Sequence, residues 1–298
     1  MASNKKALLP ETRFLVPVAG GDLAVYRYGP ERGKPILAIH GITSSNRVWQ
    51  CLAGSLVPHG YSLYAVDLRG RGDSRLLPGP FGMTTHARDM LAVIEFFKFV
   101  SVDVIGHSMG GGVTVALLGF APDRISRAVL VDGGIPLTLP PDVTVEQFIP
   151  FILGPVLARL TLTFESRQAY REHWKSQPAF AKGWTAVNDE YVDYDLRGEA
   201  PVMHPGTNPH AVEKDSRDLF TDSPDIILRN LSREVILLRA VRGLRNEEKP
   251  LYPEAALNAA LTQYPSIKVV TVPDVNHYDI LLEQGGADAC AELIYGVK

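Results

Sequence analysis

The segment VDVIGHSMGGGVTVALLGF, residues 102–120, constrains this chain more than any other. The apolar run ending at Gly106 reads as a buried strand, and the stretch from Gly110 to Phe120 reads as a helix despite three consecutive glycines. Between them lies Gly106-His107-Ser108-Met109-Gly110. By chance alone, G-x-S-x-G arises in roughly one chain in ten of this length, so the pentapeptide by itself decides little. Its setting decides more. A strand that becomes a helix within five residues must turn tightly, with glycines two positions either side of the serine allowing it. The Ser108 hydroxyl is then exposed at the end of a sheet, beside a helix N-terminus that favours developing negative charge.

The rest of the chain supplies the sheet. TRFLVPV and DLAVYRYG, joined at Gly20-Gly21, have the form of a hairpin. PILAIHG and SLYAVDL read as short buried strands, with Trp49, Leu52 and Leu56 at helical spacing between them. Met90, Leu91, Ile94 and Phe97 share one helical face, and ISRAVLVDGG is a further strand ending at Asp132. From 136 to 225 the pattern changes to prolines, aromatics and short helical stretches, with no convincing buried strand. Alternation resumes with EVILLRA, PEAALNAALTQY and IKVVTVPD, then a loop with His277, then a helix with Ala287, Cys290, Ala291 and Ile294 on its inner face. This order predicts an α/β protein with a mostly parallel sheet covered on both faces. Its core comprises residues 1–135 and 226–298, and a mainly helical cap is inserted at 136–225.

Composition narrows the partners. The 298 residues are 46% hydrophobic, enough for one large domain with an insertion. The formal charge of -3 comes with no long basic run, so nucleic acid is not an expected partner. No apolar stretch follows Lys5 and Lys6, which argues against a signal peptide. No run reaches the roughly 20 apolar residues of a membrane span, since Pro150, Pro155 and Arg159 interrupt FIPFILGPVLARLTLTF. A cytoplasmic location is the expectation. Cys51 and Cys290 are too few for a disulfide framework or metal cluster and read as small buried hydrophobes. No metal motif or dinucleotide fingerprint appears, so neither metal nor cofactor is expected. Oligomeric state is open.

A nucleophilic serine needs a base, and His277, between the last strand and the last helix, is the best placed of eight histidines. The oxyanion needs donors. The loop HGIT can offer the backbone N–H of Ile42, and the elbow that of Met109. Taken together, His40-Gly41, Asp67-x-x-Gly70-x-Gly72-x-Ser74, Gly106-x-Ser108-x-Gly110-Gly111 and His277 before the last helix resemble the capped serine hydrolases of the α/β-hydrolase superfamily. The resemblance covers almost the whole chain outside the cap. It implies an eight-stranded α/β-hydrolase sheet, with Ser108 as nucleophile, His277 as general base and acid, and an acyl-enzyme resolved by water. Inside that motif, Arg71-Gly72-Asp73 is expected to form part of a turn rather than an adhesion site.

The third residue is less direct. In many relatives of this kind the carboxylate follows the seventh strand in a G-x-x-D-like segment, but LLRAVRGLRN places Gly243 there. Glu247 and Glu248 come a little later. The other position is the end of the sixth strand, where Asp132 stands one strand nearer the nucleophile. Asp132 is the preferred candidate, with Glu247 or Glu248 as the alternative.

These features point to hydrolysis of a carboxylic ester or lactone, with a small hydrophobic ester-like molecule as partner. A carbon–carbon bond hydrolase of the same fold is the enzyme alternative, and a slow-turnover ligand-binding receptor the alternative of another class. Phe148, Phe151, Ile152, Val156, Leu157 and Leu160 are apolar enough to line an entrance, or simply to form cap core. Tyr191 and Tyr194 are further residues whose direction the sequence leaves open.

Overall fold

In a computed structural model the described residues are 8–137, 139, 142–221 and 223–297, and the segment with Lys5 and Lys6 lies outside them. The strands are β1 (Glu11–Val18), β2 (Gly21–Tyr28), β3 (Lys34–Ile39), β4 (Tyr61–Val66), β5 (Val102–His107), β6 (Ile125–Val131), β7 (Leu196–Glu199), β8 (Val202–Pro205), β9 (Val235–Ala240) and β10 (Ile267–Val272). The first helices are α1 (Gln50–Leu56), α2 (Met83–Phe96), α3 (Met109–Phe120), α4 (Val145–Arg159), α5 (Arg167–Lys175) and α6 (Ala186–Asp195). They are followed by α7 (Pro209–Asp218), α8 (Ser223–Arg229), α9 (Glu254–Gln263), α10 (Asp279–Leu282) and α11 (Gln284–Tyr295).

Eight strands form one sheet in the order β1-β2-β4-β3-β5-β6-β9-β10. β1 and β2 pair as the expected hairpin, β2 is also antiparallel to β4, and every later pairing is parallel. The central strands are apolar on both faces because helices cover both: Ile36, Leu37, Ala38 and Ile39 of β3 are all fully buried. One cluster gathers α1, α10 and α11 against one face, and another gathers α2 and α3 against the other. Trp49, Leu52 and Leu56 are fully buried, as are Ala287 and Cys290, so both stripes read from the sequence face the core. On α2 the inward face is rotated slightly from the expected one. Met90 and Ile94 are fully buried together with Val93, while Leu91 and Phe97 are partly covered at the margin.

Helices α4 to α8 and the small sheet β7–β8 lie between β6 and β9 in the chain. That two-stranded sheet escaped the sequence reading. Each strand has four residues, and Glu199, Val202 and His204 are exposed, so neither shows a buried run. α4 continues through Pro150 and Pro155. Each ring removes one amide donor, that owed to Glu146 and to Phe151 respectively, without ending the helix. Among the described residues no helix is long and apolar enough to cross a membrane.

Candidate active site

β5 runs directly into Ser108 and α3 begins one residue later. Ser108 sits at φ +55° and ψ -121°, a left-handed conformation that costs a non-glycine residue about 1–3 kcal/mol and persists only where the surroundings enforce it. They do enforce it. The Ser108 N–H donates to the Val131 carbonyl of β6 (2.9 Å). A Cβ on Gly106 would come within 2.1 Å of the Gly110 carbonyl oxygen, and one on Gly110 within 2.1 Å of the Ile39 oxygen. The two motif glycines are therefore required by close backbone approach. Gly133 is a third such position, since its Cβ would meet the Ser108 oxygen at 2.2 Å.

Asp132 follows β6 at φ +44°. β6 pairs with β9, and the Asp132 N–H continues that ladder by donating to Leu238 (2.8 Å). Its carboxylate is fully buried and divided between two donors. Oδ1 accepts the Ala240 N–H at 3.1 Å, and Oδ2 lies 2.7 Å from His277 Nδ1. The end of β6 and the loop after β10 thus meet across 145 residues of sequence.

Glu247, by contrast, turns back on its own loop. Its carboxylate accepts from the Arg245 N–H (2.7 Å) and Arg245 Nε (2.9 Å), and Glu248 is exposed. The segment that lacks an acid at Gly243 is closed on itself, its Gly243 N–H donating to the Glu247 carbonyl.

The loop with His277 is tied down on two sides. His107 Nε2–H, from the elbow, donates to the His277 carbonyl (2.9 Å). Burial, and then the neighbouring His277, push the His107 pKa well down, which keeps this imidazole neutral. Asn276 Oδ1 accepts from the Tyr278 and Asp279 N–H groups just before and at the start of α10, while its Nδ2 donates to the Ala179 carbonyl at 2.8 Å. Neither His107 nor Asn276 was assigned such a role from the sequence, where only their proximity to the motifs was visible.

The loop after β3 lies over the serine: a Cβ on Gly41 would be 3.1 Å from Ser108 Cβ and 3.6 Å from Oγ. His40 organises this loop. Its Nε2 accepts the Leu68 N–H (3.0 Å), so Nδ1 carries the proton and donates to the Gly41 carbonyl (2.7 Å). Complete burial lowers the His40 pKa to about 3, which keeps that tautomer neutral. Ser44 N–H donates to the same carbonyl (3.2 Å). In a trans peptide the Ile42 N–H points opposite to the Gly41 carbonyl. Pinning that carbonyl therefore aims the Ile42 N–H.

A small cavity of about 70 Å³ adjoins Ser108 and Met109. It shares Ile135, Pro136, Leu137, Leu251 and Tyr252 with a mostly apolar cavity of about 620 Å³. Phe148, Phe151 and Ile152 line the larger one, opposite the loop after β9. Ile152 and Val156 also line a third space of about 50 Å³. Leu157 and Leu160 instead pack against the core. Tyr191 is buried against Trp174, and Tyr194 donates its hydroxyl to the buried Asp67 (2.6 Å). Arg71 is fully buried, so Arg71-Gly72-Asp73 is not presented as a surface tripeptide.

The alpha/beta hydrolase family model matches residues 34–192, more than half of the chain. The chain belongs to the alpha/beta hydrolases. This hydrolase is 35% identical over 245 residues to lipase LipV of Mycobacterium tuberculosis, which covers 80% of the chain and 84% of LipV. It is 29% identical over 123 residues to a serine hydrolase-like protein of Danio rerio, a match spanning only 37% of that protein. A solved structure of E-2-(acetamidomethylene)succinate hydrolase superposes with a TM-score of 0.78 over 96% of this chain and 99% of that one. At 21% identity, that likeness is one of fold.

Proposed function

We propose that this hydrolase cleaves a carboxylic ester or lactone with a hydrophobic acyl group, using Ser108, His277 and Asp132 as a triad and residues 136–225 as a cap. The observation that carries the reading is the 2.7 Å contact of Asp132 Oδ2 with His277 Nδ1, at the same end of the sheet as the strained Ser108. An acceptor on Nδ1 keeps the proton there and leaves Nε2 free to take one. Ser108 Oγ attacks the ester carbonyl as its proton passes to His277 Nε2. The oxyanion that forms is met by the N–H groups of Ile42 and Met109. Collapse breaks the bond to the alkoxy group, which leaves with the proton from His277. A water then gives its proton to His277, attacks the acyl-enzyme and releases the acid and Ser108. The family and the likeness to LipV support hydrolysis. The mostly apolar cavity that shares Ile135, Pro136, Leu137, Leu251 and Tyr252 with the small space at Ser108 favours a hydrophobic acyl group over a polar one.

The test is a panel of p-nitrophenyl esters, lactones and a dienoic diketone acid, run with the wild type and Ser108→Ala, together with fluorophosphonate labelling. Ester or lactone turnover lost in Ser108→Ala, with wild-type labelling at Ser108, is the expected result. Retained activity in Ser108→Ala would refute the serine mechanism. Cleavage of the diketone acid with poor ester turnover would favour carbon–carbon hydrolysis, and labelling without turnover would favour a receptor.

A further inference from the structure

Three buried side chains on separate elements meet behind the loop that carries Ile42. Arg71, in the turn after β4, donates through Nε to the Ile42 carbonyl (2.9 Å) and through Nη1 to the Arg69 carbonyl (3.0 Å). The same Nη1 pairs with Asp215 of α7. Asp215 also accepts the Gly82 N–H at Oδ1 (2.6 Å) and His86 Nε2–H at Oδ2 (3.0 Å). Arg71, His86 and Asp215 are all fully buried. Despite its burial, the Asp215 carboxyl is held down to about 2, chiefly by the Arg71 guanidinium and then by His86, so the pair is charged at neutral pH.

The consequence concerns one peptide unit. The carbonyl before Ile42 is held by His40 and Ser44, and the carbonyl after it by Arg71. The Gly41 carbonyl sets the plane of the Ile42 N–H, and holding the Ile42 carbonyl fixes the next peptide, so the backbone on both sides of the Ile42 Cα resists rotation of that plane. A guanidinium buried this completely requires a counterion. It comes from α7, in the segment inserted between β6 and β9.

We infer that Arg71 and Asp215 are positioning residues for the oxyanion, so that the inserted segment, through α7, sets the alignment of the Ile42 N–H. This rests on the serine-hydrolase reading above. The alternative is that the pair only staples the inserted segment to the core.

The two roles separate in an oxygen-to-sulfur comparison. Arg71→Lys, Asp215→Asn and Asp218→Asn would be made in the full chain. Each would be assayed on the best p-nitrophenyl ester and on its thiono counterpart, whose developing thiolate accepts hydrogen bonds poorly and gains less from the oxyanion donors. Both substrates are measured on one preparation, so any misfolded fraction cancels from their rate ratio. Arg71→Lys and Asp215→Asn are expected to lower kcat on the oxygen ester by about 10- to 100-fold, a fraction of what loss of a whole donor costs. KM should stay within about 3-fold, and the oxygen-to-thiono ratio should fall by about tenfold. Asp218 holds the same helix to the core through the Met83 N–H (2.6 Å) but does not bind Arg71. Asp218→Asn should lower the melting temperature and leave the ratio unchanged. A ratio unchanged in both Arg71→Lys and Asp215→Asn, or lowered equally in Asp218→Asn, would overturn the inference. If Ser108→Ala retained ester turnover, the serine reading would fall first and take the inference with it.

Discussion

Replacing Asp132 with asparagine tests the proposed triad atom by atom, because the local hydrogen bonds dictate how the amide must sit. Oδ1 accepts from the Ala240 N–H and Oδ2 faces His277 Nδ1. In Asp132→Asn only one of these positions can be oxygen. Keeping the Ala240 bond puts the NH2 group against His277, which forces Nδ1 to be an acceptor and puts the imidazole proton on Nε2, where it cannot accept from Ser108. The opposite flip restores the tautomer but sets NH2 against a buried N–H, at a cost of about 1–3 kcal/mol. The competent form then makes up about one part in 5 to one part in 150. Replacing a charged hydrogen bond to the imidazolium with a neutral one costs about 1–2 kcal/mol more. Together these predict a fall in kcat of about 30- to 5,000-fold. The assay is steady-state turnover of the best ester at pH 7 to 8, with circular dichroism as a control for folding. Less than a tenfold loss in Asp132→Asn would refute the reasoning. Glu247→Gln with Glu248→Gln should change kcat by less than about 2-fold, and a large loss there would return the acid to the loop after β9.

Two further outcomes follow from the same geometry. Asp279 is buried with an Oδ2 that has no hydrogen-bond partner, and burial, followed by the Glu283 charge, raises its pKa to about 6. An acid whose folded pKa lies above its unfolded value loses stability as pH rises through that interval, here from about 4 to 6. Asp279→Asn should therefore stabilise the fold at pH 7 by about 1 kcal/mol after allowance for solvent screening, and have no effect at pH 4. Melting curves at both values check this, and an equal gain at both would contradict it. Ile152 lines both the 620 Å³ and the 50 Å³ cavities. Ile152→Trp should lower the octanoate-to-butyrate ratio of kcat/KM by tenfold or more, since each buried methylene is worth about 0.8 kcal/mol. An unchanged ratio would place the acyl chain elsewhere.

The sheet was legible because its central strands are buried on both faces and so appear as uninterrupted apolar runs. PILAIHG and VDVIG become β3 and β5 almost residue for residue. The meeting of Asp132 with His277 was accessible through the family resemblance, which offers the end of the sixth strand as a second place for the acid, although the sequence left Glu247 and Glu248 open as alternatives. What stayed hidden depends on distant partners. Asp215 lies 144 residues from Arg71, and no local pattern marks either as half of a buried pair. The sequence left the direction of Tyr194 open because its partner, Asp67, lies 127 residues away. The role of His107 was hidden differently. It stands inside the most recognisable motif of the chain, but its hydrogen bond is to a backbone carbonyl, a partner that no side-chain pattern reveals.

The self-contained loop after β9 has a practical meaning. In this hydrolase, Gly243 to Pro253 forms one wall of the large cavity, and its Glu247 is spent on Arg245 of the same loop. Where that loop also carries the third catalytic group, any change in its length or sequence puts turnover at risk. If Asp132 fills that role, as proposed, the cavity wall and the proposed proton transfer reside on separate pieces of chain. On that reading Gly243 to Pro250, which do not line the small cavity at Ser108, are the part of the loop to vary as a library site.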